Sequence, residues 1–233
     1  IAKVIPGTHP YDFFVAIDVH GGLWAAGWNY EHQLGRDYIS PGTYISGVGI
    51  SRHALNREQV KWDSVTAATL GTYVDGLLGG TTGKVADAAC GDAHTLVLME
   101  NGDLYGFGKN SDGQLGLGTV NNIYGNPMTT GHMTQITTNV SQIWAGDNRS
   151  WYTKNGSTNL YAMGHEGGPD VSNFHVGALG TDETPSAPNW GGNLNRFSPY
   201  SIPQQPWGAG DIAKIATGWK HTLFLNTSGK IMS

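Results

Sequence analysis

One cysteine, Cys90, stands among 233 residues. It excludes an internal disulfide and a cysteine-built zinc site. A lone small residue in an apolar stretch reads as core. Charge is scarce as well: Lys, Arg, Asp and Glu make up 13 % of the chain, and the formal net charge is −5. No Lys/Arg cluster occurs, so the basic face that nucleic acid requires is missing and no nucleic-acid partner is expected. There is no apolar run of about 18 residues, hence no expected membrane span. The opening stretch Ile1 to Phe14 lacks the basic-then-apolar layout of a signal peptide.

Catalytic motifs are equally absent. The sequence has no Gly-x-Ser-x-Gly elbow and no His-Glu-x-x-His pair. Gly83-Lys84-Val85 fails as a phosphate loop because the hydroxyl residue is missing, and Gly113 to Gly118 lacks the spacing of a dinucleotide loop. Glu166, Asp182 and Glu183 fall in loops and read as solvated acids, with ion binding as the alternative. The chain is therefore expected not to be an enzyme and to need no cofactor and no metal.

Glycine is plentiful, with 35 residues, alongside 39 % hydrophobic residues and eight Trp. That combination predicts short strands and many turns, an all-β chain rather than a disordered one. The stretch Cys90 to Thr119 makes this concrete. His94 to Glu100 is strand-like, Asn101-Gly102 predicts a tight type I′ hairpin turn, and Asp103 to Phe107 returns. A tail follows, with Gly108, Asn110 and Gly113-Gln114-Leu115-Gly116.

This unit recurs. Leu23-Trp24-Ala25-Ala26-Gly27-Trp28-Asn29 and His32-Gln33-Leu34-Gly35 form an earlier copy, preceded by Phe13 to Val19. A third runs from Ile143 to Thr181, with Leu160-Tyr161-Ala162-Met163-Gly164 and, after an insertion, Gly177-Ala178-Leu179-Gly180. A fourth begins at Ile215 and includes Gly218-Trp219-Lys220-His221-Thr222. The chain reads as a single domain over 1–233, or a fragment of one. Its repeat cores lie at about 10–37, 85–119, 140–181 and 212–233, with a long insertion at 38–84. Within that insertion, 54–65 reads as a short helix or a loop with strand pieces. Residues 121–138 and 184–209 read as polar surface connections. A hairpin cannot bury both faces alone, so neighbours must stack.

The pattern Gly-x-x-His-[Ser/Thr], strand, Gly-x-[Leu/Val]-[Tyr/Trp]-x-x-Gly-x-Asn-x-x-Gly-Gln-Leu-Gly resembles the repeat of the regulator of chromosome condensation family. Gly91 to Thr95, Gly102 to Tyr105, Gly108 to Asn110 and Gly113 to Gly116 match it nearly throughout. The first copy departs, with Pro10 and Phe13 at the first Gly and His positions, and the third carries Arg149 for His. The resemblance implies a β-propeller of four-stranded antiparallel blades, with the repeats here forming part of a larger, seven-bladed ring. The final Gly229-Lys230-Ile231-Met232-Ser233 reads as the middle of a strand and the chain as a piece of a longer polypeptide.

His94 and His221 share a repeat position and read as structural, bonding backbone groups where the second strand begins. Trp24, Tyr105 and Tyr161 share another and read as blade core. Residues that differ between copies are the candidate partner-binding set: Trp28, Tyr30, Asp92, Asp147, Arg149, Trp219 and Lys220. The expected function is a non-catalytic, soluble propeller that binds another protein through loops on a rigid scaffold. The alternative is a structural or appendage subunit of a large assembly, such as a phage or virus particle, with neighbouring subunits as partners. A guanine nucleotide exchange factor is a further, weaker reading, because neither a basic tail nor a wedge loop is recognisable.

Overall fold

The computed structural model describes residues 1–8, 13–28, 31, 33–34, 84–118, 134–157, 159–165, 169–170, 173–174, 196–202, 212–218 and 221–232. The stretch read as a helix or loop at 54–65 lies outside the described residues, as does nearly all of the insertion around it.

The described residues form antiparallel sheets strung along the chain. The first contains β1 (Lys3–Pro6), β2 (Phe13–Ile17) and β3 (Leu23–Gly27). The second contains β4 (Val85–Cys90), β5 (His94–Met99), β6 (Leu104–Gly108) and β7 (Thr134–Thr137). The third contains β8 (Val140–Gly146), β9 (Arg149–Lys154) and β10 (Leu160–Gly164). A two-stranded ribbon of β11 (Pro169–Asp170) and β12 (Asn173–Phe174) interrupts it before β13 (Arg196–Ile202) joins β10 as the outer strand. The last sheet contains β14 (Ile212–Thr217), β15 (Thr222–Asn226) and β16 (Ile231–Met232). In each sheet the strands follow chain order, as propeller blades do.

The first strands β1, β4, β8 and β14 pack successively on one another, so they form the inner rim of the array. Blade faces meet between neighbours. Val97 and Met99 of β5 join Phe13, Val15, Ile17 and Leu34 in one core. Leu96 and Leu98 of the same strand join Ile143, Tyr152 and Met163 in the next. Alternate residues of β5 thus point to opposite faces that are both buried, which is why it reads as a continuous apolar run. A third core joins Trp151, Leu160 and Ala162 to Ile212, Ile215 and Phe224.

Four expectations change. Residues 134–137 and 196–202, taken as surface connection, are the outer strands β7 and β13. The first Gly of the first copy is Gly7, not Pro10. Its N–H bonds Phe13 O at 2.9 Å, as Gly91 bonds His94 O at 3.0 Å and Gly218 bonds His221 O at 2.9 Å. Five residues separate Gly7 from Phe13 where two separate Gly91 from His94, which hides that register in the sequence. The turn at Asn101-Gly102 is not type I′, because Asn101 keeps negative φ and only Gly102 is left-handed at 85°. Met99 N bonds Asp103 O across a three-residue loop, and Gly102 N bonds Met99 O, both at 2.9 Å. This is a type I turn closed by a left-handed glycine. Finally, the His94 ring is not limited to backbone contacts such as that with Arg149: it also bonds Ser150 Oγ of the next blade at 2.8 Å.

Candidate functional site: the inner mouth

At one end of the inner rim, the loops between the first and second strands of successive blades converge. Thr8 N bonds Gly91 O at 3.1 Å, joining blades one and two, and Asp92 N bonds Asp147 O at 3.0 Å, joining two and three. Side chains extend the same chain of contacts. Thr8 Oγ1 donates to Asp92 Oδ1 and accepts from Asp147 N at 3.1 Å. Arg149 Nη2 donates to Asp147 Oδ2 at 2.8 Å and to Gly218 O at 2.7 Å, tying blade three to blade four.

Glycine makes the close approach. A Cβ on Gly91 would stand 2.5 Å from Asp147 O and run into the His94 ring. No side chain fits there without a shift of backbone.

Asp92 and Asp147 are nearly closed to solvent, at 9 % and 8 % exposure. Burial, and then the neighbouring Asp147 carboxyl, push the Asp92 pKa up to about 6, against the bond from Thr8 and the Lys109 cation. His94 is fully enclosed, and burial with the Lys109 charge pulls its pKa down to about 3, so it is neutral at pH 7.

The tails after the third strands flank this mouth. Gln114 Oε1 accepts from Asp112 N at 2.9 Å, and Asn110 Oδ1 accepts from Leu115 N at 2.9 Å, which folds Leu115 into the core. Gln33 repeats the arrangement on Glu31 N at 3.0 Å. In the second copy, Lys109 Nζ reaches Asn148 Oδ1 and Asp112 Oδ2, each at 3.3 Å, and Gln114 Nε2 reaches Asn148 Oδ1 at 3.4 Å. At the junction of the first copy with the second, Trp28 and Ala93 stand at the positions of Lys109 and Asn148, and among the described residues Glu31 Oε2 and Gln33 Nε2 find no partner there.

The structure brings Asp92, Asp147 and Arg149 together. The Arg149 side chain is fully buried and held between two blades, so the loop position that it occupies is a joint rather than an exposed surface. Trp28 lies half-buried in the flanking tail of the first blade. Tyr30, Trp219 and Lys220 lie outside the described residues. Thr8 and Lys109 are the members that sequence reasoning passed over. Gly7 ahead of Thr8 was the available signal; Lys109 had none, being at a variable position of the repeat. Of the shared aromatics, Tyr105 is buried, whereas Tyr161 is half-buried and stacks on Tyr152 at 4.9 Å. Trp24 is half-buried too, donating to Asp18 Oδ2 at 2.8 Å. Among the described residues, no three His, Cys, Asp or Glu side chains gather as a metal site would require. No helix among them is long and apolar enough to cross a membrane.

Comparison with known proteins agrees with this geometry. The family model described as regulator of chromosome condensation (RCC1) repeat matches residues 85–114, and a second of the same description matches 101–150. A 31-residue stretch is 68 % identical to Protein RCC2 homolog of Xenopus laevis, covering 13 % of this chain and 6 % of that protein. An 88-residue stretch is 38 % identical to X-linked retinitis pigmentosa GTPase regulator of Canis lupus familiaris, covering 36 % and 8 %. The chain thus spans under a tenth of the length of these curated relatives. The crystal structure of Prp20p from Saccharomyces cerevisiae superposes with a TM-score of 0.60 at 18 % identity, over 98 % of this chain and 44 % of that one. With the blades, the inner mouth and the folded tails all in register, residues 85–150 are regulator of chromosome condensation repeats, and the chain has the fold of the RCC1-like β-propellers.

Proposed function

We propose that this chain is a non-catalytic propeller scaffold that binds another protein at its inner mouth and the tails beside it. The observation behind this reading is the convergence of one loop position from successive blades. Thr8, Asp92 and Asp147 meet there, joined by main-chain bonds between blades. Such a surface costs little ordering on binding, which favours recognition. Several residues of the shared repeat pattern are absorbed by the fold: His94, Asn110, Gln114 and Leu115 are all buried. Of those that differ, the half-buried Trp28, Lys109 and Asn148 flank the mouth and supply its chemistry.

Prp20p is described by its binding to Gsp1p and histones, which supports a protein partner for a chain of this fold. The exchange-factor reading rests on likeness of fold alone. The assembly-subunit reading draws no support from the relatives above, which are animal and yeast proteins.

The test uses Lys109→Gln and Trp28→Ala, two partly exposed positions outside the blade cores. Co-purification from native extract should retain a discrete partner with the wild type and lose it with either variant at unchanged Tm. A partner profile that neither variant alters would remove the mouth from the reading.

A further inference from the structure

The sequence contains two Asn-Gly pairs at hairpin turns, Asn101-Gly102 and Asn155-Gly156. Both lack the Cβ that slows attack of the following backbone nitrogen on an asparagine side chain. The structure treats them oppositely. Gly102 is buried, and its N–H is held by Met99 O at 2.9 Å. The Asn101 side chain is held at both ends, donating to Asp103 Oδ2 at 2.8 Å and accepting from Asp103 N at 3.0 Å. At the other turn, Asn155 and Gly156 are both exposed, and a Cβ on Gly156 would meet nothing within 4 Å. Among the described residues, Gly156 N–H enters none of the turn's bonds, which run from Asn155 N to Asn139 O and from Ser157 N to Lys154 O. The Asn155 amide makes only long contacts, 3.4 Å to Asn139 Oδ1 and 3.5 Å to Val140 O.

We propose that Asn155 is a site of spontaneous deamidation in the folded protein, while Asn101 is protected. The Gly156 nitrogen, losing its proton, attacks Asn155 Cγ. The C–N bond to the side-chain nitrogen breaks, and ammonia leaves with that proton. A succinimide remains. Water then adds at either carbonyl, opening the ring to aspartate or isoaspartate at 155. The only co-reactant is water.

The product matters for the blade. Asn155 N donates to Asn139 O at 2.9 Å, and Asn139 Nδ2 donates back to Asn155 O at 3.2 Å. Asn139 is held there with φ 63°, directly before β8. Isoaspartate reroutes the main chain through an extra methylene and disturbs both bonds, and either product replaces the Asn155 donor with a negative charge. The start of β8 and the end of β9 then separate at the rim away from the mouth.

The experiment incubates the full chain in mildly alkaline buffer, folded and in urea, and follows both peptides by mass spectrometry with isoaspartate-sensitive fragmentation. In urea the two sites should convert at similar rates. In the folded protein Asn155 should convert several-fold faster than Asn101, with a lowered Tm in the converted fraction. Asn155→Gln should keep the turn and abolish that product. A folded-state ratio equal to the urea ratio, or faster conversion of Asn101, would overturn the proposal.

Discussion

At the scale of single residues, Asp92 and His94 have opposite effects on how stability varies with pH. The Asp92 pKa is about 6 when folded against 3.8 ordinarily, so the folded state binds its proton more tightly. Its contribution is full below about pH 4 and is lost as pH rises through 6. The His94 pKa is about 3 when folded against 6.5. Its contribution is full above pH 6.5 and is lost as pH falls towards 3. Between about pH 4 and 6 the two slopes oppose one another. Asp92→Asn leaves the histidine slope unopposed while its amide can still donate to Asp147. The stability deficit of this variant relative to wild type should be larger at pH 4.5 than at pH 6.5 by about 1 to 2 kcal/mol, measured by urea unfolding. An equal deficit at both pH values would mean that Asp92 titrates as an ordinary surface acid. The sequence marked Asp92 as variable and His94 as structural, and both readings were within reach of the repeat pattern. It could not show that His94 meets Ser150, because that partner lies in the next blade and no local rule couples the two.

At the scale of elements, the folded tail carries more than its irregular conformation suggests. Leu115 is fully buried among Leu96, Leu104 and Ile136, with its N–H satisfied by Asn110. Leu115→Ala should cost about 2 to 5 kcal/mol, the range for emptying a leucine site in a packed core. Leu117, only partly buried against the same cluster, should cost clearly less when truncated, and chemical denaturation of the two variants separates the cases. Equal costs would mean that the tail does not insert as described. The second and third strands were legible in sequence because glycine-closed turns bracket apolar runs. The outer strands β7 and β13 were not. Thr134-Gln135-Ile136-Thr137 is short and polar, and a strand that pairs on one edge only needs little apolar signal. The turn type was misread for a related reason: Asn-Gly fits two loop geometries, and the pairing of Met99 with Asp103 across three residues decides between them.

At the scale of the whole molecule, blades pack face to face and are bonded through their inner loops, and Arg149 is one of the joints. Its guanidinium serves Asp147 in its own blade and Gly218 O in the next. Arg149→Met keeps most of the volume but leaves a buried carboxylate without its cation, so a loss of about 3 to 5 kcal/mol is expected. Hydrogen exchange should rise first in β14 and β15, since the lost bond to Gly218 O served that blade. Uniform loosening across all sheets would contradict the nearest-neighbour picture. Repetition made the propeller readable from sequence, because four imperfect copies share one register. The convergence at the mouth was not readable, since it depends on the twist between blades and on the position of Gly7. The bonds from Thr8 N to Gly91 O and from Asp92 N to Asp147 O run between main-chain atoms. From blade one to blade three, the width of the mouth is therefore set by peptide groups, with Gly91 keeping the approach open. Charge and shape at that rim can drift over evolutionary time, or be redrawn by a protein engineer, while the aperture that displays them keeps its size.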